Sequence, residues 1–437
     1  MSCVRPIIDA RDARPHAALQ QRQSEGSEPV ARSVVRSSAL LLCLAASAGP
    51  SAAPATEPLP SFQVDLAQSS VSGLSSGAYM AGQFHVAFST TLIGVGLVAG
   101  GPYGCAEGQL AGALNRCMQT SLGAPDPTRL HELAENLATQ GRIDPLTGLA
   151  GDRVYVFSGS KDETVTPPVI ARAVEFYRLA GVPDGDIEHV HDVAAGHAFV
   201  TEDEGNACGV TQSPFINDCD YDQAGAILQH IHGALNAPVP DLSGGLIEFD
   251  QAEFLSDPTA HGMGRTGLAY VPASCAAGEP CRVHIAFHGC RQTTDRIGDA
   301  FLTKTGYNRW AEDNHLIVLY PQAHETPLNP NACWDWWGYD DPRYMTRSGR
   351  QMAAVHGMLV RLAGGSAPTA PFCERHDAYN LGHWQAGRAR VCDWWFLCAV
   401  GSDENLGFAY NASTLYESPQ GSFGTTSCSD RRPGLSG

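Results

Sequence analysis

Apolar strand-like segments alternate with amphipathic segments along the first half of this chain. Short runs bounded by glycine or polar residues predict β-strands, because strands inside a parallel sheet are apolar on both faces. Such runs cover residues 62–72, 92–99, 153–158 and 188–193. Segments 127–139 and 168–179 have apolar residues at helical spacing and predict helices. The alternation predicts an α/β fold with a parallel sheet covered on both faces.

The first predicted strand runs into the pentapeptide Gly73-Leu74-Ser75-Ser76-Gly77. This G-x-S-x-G pattern, between a strand and a helix, is typical of the nucleophile elbow of α/β-hydrolases. Glycines are needed there because a serine on a sharp strand-to-helix turn requires neighbours without a Cβ. Ser75 is therefore the candidate nucleophile. Taken alone the pentapeptide is also compatible with a loop that carries no chemistry.

Two further polar residues follow the ends of later strands. Asp162 comes after the strand at 153–158, and His197 comes after the strand at 188–193. The carboxyl ends of parallel strands meet at one edge of a sheet, and the order Ser, Asp, His is that of α/β-hydrolases. A histidine can take the serine proton, and a carboxylate can orient that histidine. The alternatives are a turn aspartate and a capping or core histidine, with Glu163 as a competing acid.

The second half of the chain contains two more strands, predicted over 282–287 and 315–321. The first leads into His288-Gly289-Cys290, a strand-to-H-G corner that hydrolases use to direct an amide into the oxyanion hole, normally ahead of the nucleophile. Its position downstream of His197 predicts a circular permutation that places this strand beside the nucleophile strand. The amides of Cys290 and Ser76 would then form the oxyanion hole. A plain turn after a core strand is the alternative.

Composition and charge limit the kinds of partner that this protein is expected to bind. The 437 residues are 43% hydrophobic and 17% charged, as expected for an ordinary globular protein. The net charge is −18, and it becomes −20 without residues 1–56, which hold six basic and four acidic residues. This acidic balance argues against nucleic acid or an anionic membrane as a partner, while a neutral substrate is not disfavoured.

Residues 1–56 have the features of a secretory leader. Arg32 and Arg36 precede an apolar run over 39–46, and small residues follow to Ala55. The run is too short to span a bilayer. The 31 residues before Arg32 are unusually many for a leader, so the start could lie downstream of Met1. Lipidation of Cys43 is a less favoured alternative. We expect a secreted protein, extracellular or periplasmic.

Cysteine spacing agrees with export. Of 14 cysteines, 12 lie outside the leader, and four pairs are close in sequence: Cys105 and Cys117, Cys208 and Cys219, Cys275 and Cys281, Cys392 and Cys398. In an oxidising compartment such pairs predict local disulfides. A structural zinc is less favoured because no C-x-x-C pair occurs. Cys290, Cys333, Cys373 and Cys428 have no local partner, and no metal or other cofactor is expected.

Five motifs in this order resemble the extracellular short-chain-length polyhydroxyalkanoate depolymerases, of the type with an N-terminal lipase box and a circularly permuted α/β-hydrolase fold. The motifs are G-L-S-S-G-A-Y-M, G-S-K-D-x-x-V, A-G-H, H-G-C-R-Q and N-A-C-W-D-W-W-G-Y, and the resemblance covers about residues 60–365. It implies Ser75, Asp162 and His197 as catalytic residues and Cys290 as an oxyanion-hole residue. It also implies hydrolysis of poly(3-hydroxybutyrate) or its oligomers through an acyl-enzyme.

The last of these motifs carries an aromatic cluster that suits an uncharged polyester. Trp334, Trp336 and Trp337 are candidates for substrate binding, since aromatic rings offer apolar area to a methyl-bearing chain. The resemblance implies that one of them contacts the polymer, with Trp334 preferred by the motif. The alternative is that some of these tryptophans belong to the core.

The expected domains are a leader over 1–56, a catalytic domain over 57–365 and a small module over 366–437. Residues 364–371 have a linker composition, and the module is rich in cysteine and aromatic residues. It would either bind the insoluble substrate or form a small core of its own. Two alternative functions stay open: a feruloyl or acetyl esterase of the same fold, and a non-catalytic secreted adhesion protein. The oligomeric state is not predicted.

Overall fold

The computed structural model describes residues 57–365, 375–393, 396–400, 402–417 and 423–425. The predicted leader, residues 366–371 of the predicted linker, Cys373 and Cys428 lie outside these residues. None of the described helices is long and apolar enough to cross a lipid bilayer.

Within the described residues, eight strands form one mixed sheet. In chain order they are β1 (Ser69–Leu74), β2 (Leu92–Val98), β3 (Arg153–Phe157), β4 (Ile187–Val190), β8 (Gly245–Asp250), β9 (Thr266–Val271), β10 (Arg282–Phe287) and β11 (Leu316–Tyr320). The three strands between β4 and β8 form a separate small sheet, namely β5 (Phe199–Thr201), β6 (Asn206–Ala207) and β7 (Ile216–Asp218). The central strands are buried. Strands β2, β3 and β11 are mostly apolar, whereas β1 and β10 also bury the polar residues Ser69, Ser70, Ser72 and His284. The predicted α/β fold is confirmed.

The spatial order of the large sheet is β4-β3-β2-β1-β10-β11-β9-β8. Strand β1 pairs in parallel with β2 on one side and with β10 on the other, in a register that opposes Ser72 to Ala286 and Gly73 to Phe287. The pairing of β1 with β10 is the one that the predicted permutation requires. Strands β9 and β8 continue the sheet as an antiparallel hairpin that the sequence analysis did not predict.

The helices cover the sheet and connect its strands. Helix α1 begins directly after the nucleophile candidate, is buried along its whole length and contacts β1, β2 and β10. The helices are α1 (Ser76–Ala87), α2 (Leu110–Gly112), α3 (Pro127–Thr139), α4 (Pro167–Leu179), α5 (Gln223–His232), α6 (Ala273–Ala276), α7 (Thr294–Ile297), α8 (Ala300–Lys304), α9 (Tyr307–Glu312), α10 (Arg350–Leu362) and α11 (Asn380–Gln385). Helix α3 has the predicted bounds, and α4 begins one residue earlier than predicted.

Disulfides join neighbouring segments of the described chain. All four predicted local pairs are bonded: Cys105–Cys117, Cys208–Cys219, Cys275–Cys281 and Cys392–Cys398. A fifth bond, Cys290–Cys333, spans 43 residues and was not predictable from spacing.

The C-terminal residues form two further three-stranded sheets. These consist of β12 (Arg375–Tyr379), β16 (Ala412–Glu417) and β17 (Phe423–Gly424), and of β13 (Ala389–Asp393), β14 (Phe396–Ala399) and β15 (Asn405–Phe408). A small apolar cluster of its own includes Leu397, Leu406 and Leu415. Several aromatic side chains remain exposed nearby, namely Tyr379, Trp384, Phe408 and Tyr410.

Candidate active site

Ser75 lies in a sharp turn between β1 and α1. Its backbone has φ 56° and ψ −119°, a conformation that costs a non-glycine residue about 1–3 kcal/mol. A Cβ at Gly73 would overlap the carbonyl oxygen of Gly77, and a Cβ at Gly77 would overlap that of Phe287. The turn therefore requires both glycines of the pentapeptide, and the second one lets α1 approach the end of β10.

Asp162 and His197 come together at the ends of β3 and β4. The Oδ2 atom of Asp162 lies 2.7 Å from Nδ1 of His197, and both residues are buried. Oδ1 of Asp162 accepts the amides of Thr164 and Val165 at 2.8 and 3.0 Å, which fixes the carboxylate. Because Nδ1 of His197 is directed at a carboxylate, Nε2 is left to serve as a base. The competing acid, Glu163, is exposed.

The loops that carry these two residues are joined by backbone hydrogen bonds. The amides of Ser160 and Lys161 donate to the carbonyls of Val193 and Ala195 at 2.9 and 3.1 Å. The amide of His197 donates to the hydroxyl of Thr211 at 2.9 Å. Hydrogen bonds to both the backbone and the ring of His197 therefore fix the position of the imidazole.

A cavity of about 850 Å³ brings the predicted residues together. Ser75, His197 and Cys290 all line it, and Asp162 lies behind His197. Two of the three candidate tryptophans, Trp336 and Trp337, also line the cavity. The cavity can therefore present a hydroxyl, an imidazole and an apolar aromatic wall to one molecule.

Of the two residues predicted for the oxyanion hole, Cys290 lines this cavity, and Ser76 directly follows Ser75, which also lines it. Ser76 is the first residue of α1, so its amide has no partner inside the helix. The amides on either side of Cys290 are engaged, since Gly289 donates to Oε1 of Gln292 at 2.7 Å and Arg291 donates to the carbonyl of Asn331 at 2.8 Å. Within the described part of the chain, no partner is found for the amide of Cys290.

Trp334 differs from its predicted role. It is fully buried, does not line the cavity and donates its Nε1 hydrogen to the carbonyl of His288 at 3.0 Å. Its ring packs against Phe287 and His288. The motif placed it in the substrate crevice, but its polar edge finds a backbone partner inside the protein, so it supports the 288–290 corner instead.

Trp336 and Trp337 occupy the wall of the cavity. The ring of Trp336 stacks on Tyr79 of α1 with centroids 4.1 Å apart, while Trp337 is half-buried. Asp335 holds the turn that follows, because its Oδ1 accepts the amides of Gly338 and Tyr339 at 2.8 Å each. Burial raises the pKa of Asp335 to about 7.

Gln292 is a site residue that the sequence analysis missed. It is buried, and its side chain connects two walls of the cavity: Oε1 accepts the amide of Gly289, while Nε2 donates to the carbonyls of Pro214 and Phe215 at 2.8 and 3.1 Å. The H-G-C-R-Q motif contained this glutamine, but its partners lie 77 and 78 residues away along the chain. No local pattern could have found them.

His288 also helps to hold the corner formed by residues 288–290. Its Nε2 accepts the amide of Ala323 at 3.1 Å, so Nδ1 carries the proton and donates to the carbonyl of Gly289 at 2.7 Å. Burial lowers the pKa of His288 to about 4, so the ring is neutral at pH 7.

A directed chain of hydrogen bonds runs behind β1. Arg282 donates to Nδ1 of His232 at 3.2 Å, so Nε2 of His232 carries the proton and donates to Ser70 at 2.9 Å. The Ser70 hydroxyl then donates to Nδ1 of His284 at 2.8 Å, and Nε2 of His284 donates to Ser72 at 2.7 Å. Burial lowers the pKa of His232 to about 3, with Arg282 adding to the effect, and lowers that of His284 well below its usual value.

Within the described residues, no group of three or more His, Cys, Asp or Glu side chains is placed to hold a metal ion.

Comparison with known proteins identifies relatives of this architecture. No protein-family model matches the chain. It is 45% identical over 320 residues to a poly(3-hydroxybutyrate) depolymerase of Delftia acidovorans, a match that covers 72% of this chain and 63% of that protein. It is 39% identical over 329 residues to a polyhydroxybutyrate depolymerase of Talaromyces funiculosus, covering 70% of this chain and 93% of that protein.

Solved structures give the same result. A PHB depolymerase from Penicillium funiculosum matches with a TM-score of 0.66 and 37% identity, over 71% of this chain and 99% of that chain. The structure of a serine-to-alanine variant of a PHB depolymerase, complexed with an R3HB trimer, matches equally well. On the identity and coverage of these relatives, the chain belongs to the polyhydroxybutyrate depolymerase family.

Proposed function

We propose that this protein is a secreted serine hydrolase that cleaves the ester bonds of short-chain-length polyhydroxyalkanoates such as poly(3-hydroxybutyrate). The observation that carries the proposal is the cavity in which Ser75, His197 and Cys290 meet. The trimer complex of a structural relative supports the substrate class. An uncharged polyester is also compatible with the strongly acidic composition.

The residues have the following roles in this proposal. Ser75 Oγ attacks the ester carbonyl carbon while Nε2 of His197 takes the serine proton, and Asp162 stabilises the imidazolium. The amides of Cys290 and Ser76 bind the oxyanion, each contributing about 3–4 kcal/mol. His197 returns the proton to the leaving alkoxide, which gives an acyl-serine and a free hydroxyl end. Water activated by His197 then attacks the acyl carbon and releases a carboxylic acid and the serine.

Replacement of the nucleophile tests the enzyme class. Ser75→Ala should lower kcat on p-nitrophenyl butyrate by several orders of magnitude. Ser69→Ala is the matched control, because Ser69 is a buried serine on β1, the strand that leads to Ser75, and its hydroxyl has no partner among the described residues. Unchanged turnover by Ser75→Ala would overturn the assignment of Ser75 as the nucleophile.

Substrate choice separates the two enzyme hypotheses. Clearing of poly(3-hydroxybutyrate) films by the wild type supports the depolymerase. Cleavage of feruloyl or acetyl esters while the films stay turbid would instead support a carbohydrate esterase of the same fold.

We also propose that the protein works outside the cytoplasm and that residues 366–437 form a polymer-binding module beside a catalytic domain over 57–365. Five disulfides among the described residues suit an oxidising compartment. Exposed Trp384 and Tyr410 offer apolar surface for the solid polymer. The double variant Trp384→Ser/Tyr410→Ser should adsorb less to crystalline polymer while it cleaves p-nitrophenyl butyrate normally, and undiminished adsorption would exclude this role.

A further inference from the structure

The charge of the cavity is opposite to that of the protein. The chain has a net charge of −18, yet the described residues that line the cavity include no aspartate or glutamate. Besides His197 and the buried Tyr79, the ionisable residues of the lining are Arg291 and Arg296. The repeating units within a polyester chain are uncharged, so binding them requires neither arginine. The presence of both arginines therefore indicates that the cavity recognises a second feature of the substrate.

The two arginines are not equivalent. Arg296 forms an ion pair with Glu325 and donates to the carbonyl of Pro330 at 3.1 Å. Arg291 donates from Nε to the side-chain oxygen of Asn331 at 2.9 Å, and no carboxylate partner for it is found within the described residues. Its terminal guanidinium nitrogens are therefore available to an anion from solution.

The base of Arg291 is fixed next to the proposed oxyanion hole. It follows Cys290 directly, has a left-handed backbone with φ 64°, and its amide donates to the carbonyl of Asn331 at 2.8 Å. Two hydrogen bonds to one asparagine thus set the direction in which the side chain leaves the backbone. A guanidinium so placed can bind a carboxylate with two parallel hydrogen bonds.

We propose that Arg291 forms a carboxylate subsite that recognises the acid end of a hydroxyalkanoate chain, an inference that rests on the proposed function. A linear polyester has one hydroxyl end and one carboxyl end, and each hydrolysis creates a new carboxylate. The carboxyl end belongs to the leaving alcohol of the scissile ester. Binding at Arg291 therefore favours release of short hydroxy acids from the acid ends of oligomers.

The test compares a 3-hydroxybutyrate trimer as the free acid with its methyl ester, at low salt. The wild type should cleave the acid with a kcat/KM roughly three- to tenfold higher, through a lower KM, because one exposed charge pair is lost in the ester. Added salt should reduce this ratio. In Arg291→Gln the ratio should fall to about 1, and Arg291→Lys should restore part of it.

Arg296→Gln is the matched control, since it removes the other cavity arginine, which already has a carboxylate partner. This variant should keep the wild-type preference. An unchanged acid-to-ester ratio in Arg291→Gln overturns the carboxylate subsite while the depolymerase function stands. Failure of the wild type to cleave either trimer overturns the proposed function and this subsite together.

Discussion

Nδ1 of His197 lies 2.7 Å from Oδ2 of Asp162, although the two residues are 35 positions apart. The carboxylate is itself held by two amides, so it can keep the imidazole in one tautomer without moving. This arrangement leaves Nε2 of His197 for the cavity that Ser75 lines.

Asp162→Asn should therefore lower kcat on a soluble ester by about 10³–10⁴-fold at neutral pH, because the amide would favour the wrong tautomer. Glu163→Gln is the control, since Glu163 is adjacent and exposed. Steady-state kinetics on p-nitrophenyl butyrate measures both. A larger loss in Glu163→Gln than in Asp162→Asn would reassign the acid.

Gln292 should matter for kcat more than for KM. Gln292→Leu frees the amide of Gly289 and loosens the corner that carries Cys290, so we expect kcat to fall about 10- to 100-fold with little change in KM. Gln251 provides a close control: it is buried away from the cavity, accepts one amide from Gln322 and donates to two carbonyls, of Gly264 and Gln322.

Gln251→Leu should lower the free energy of unfolding by an amount similar to Gln292→Leu while kcat stays near the wild-type value. Urea unfolding and kinetics on the same preparations separate the two effects. Equal kcat in the two variants would reduce Gln292 to a purely structural residue.

The tryptophans of the 334–337 segment should divide by function. Trp337→Ala removes half-buried apolar area from the cavity wall and should raise KM for the trimer about tenfold, with less effect on p-nitrophenyl acetate, whose small acyl group offers little apolar area. Trp334→Phe keeps an aromatic ring but leaves the carbonyl of His288 without its donor, so it should lower kcat instead. A rise in KM as the main effect of Trp334→Phe would return Trp334 to the crevice.

The histidines behind β1 predict loss of stability in mild acid. His232 and His284 have pKa values below those of unfolded histidine, so the unfolded chain binds more protons below about pH 6.5 and unfolding becomes easier as pH falls. Each contributes about 1.4 kcal/mol per pH unit until its folded pKa is reached.

In His232→Gln, the number of protons that the chain binds on unfolding should fall by about one. The reason is that a glutamine amide can donate to Ser70 without titrating. Urea unfolding at pH 7.5 and 5.0 measures the slope, and His315→Gln, at a half-exposed histidine, is the control. A slope that does not change in His232→Gln would mean that this ring is protonated in the folded state.

Local patterns in the sequence were sufficient to predict several elements of the fold, the candidate site residues and the local disulfides. Strand β10, helix α3 and the turn at Ser75 could be predicted because apolar spacing, turn residues and glycine requirements act over a few residues. The order of Ser75, Asp162 and His197 followed from the same reasoning, since each comes after the end of a predicted strand. The four local disulfides followed from spacing alone.

Tertiary structure decided what depends on residues far apart. Three features arise where separate loops meet: the Cys290–Cys333 bond, the hydrogen bonds of Gln292 to the carbonyls of residues 214 and 215, and the guanidinium of Arg291 that is available to an anion. Trp334 turned inward because the carbonyl of His288 lies beside it, which its motif does not encode. The free energy of such contacts depends on distances that only the folded sheet sets. The sequence could therefore name the candidate reacting groups but not the side chains that position them.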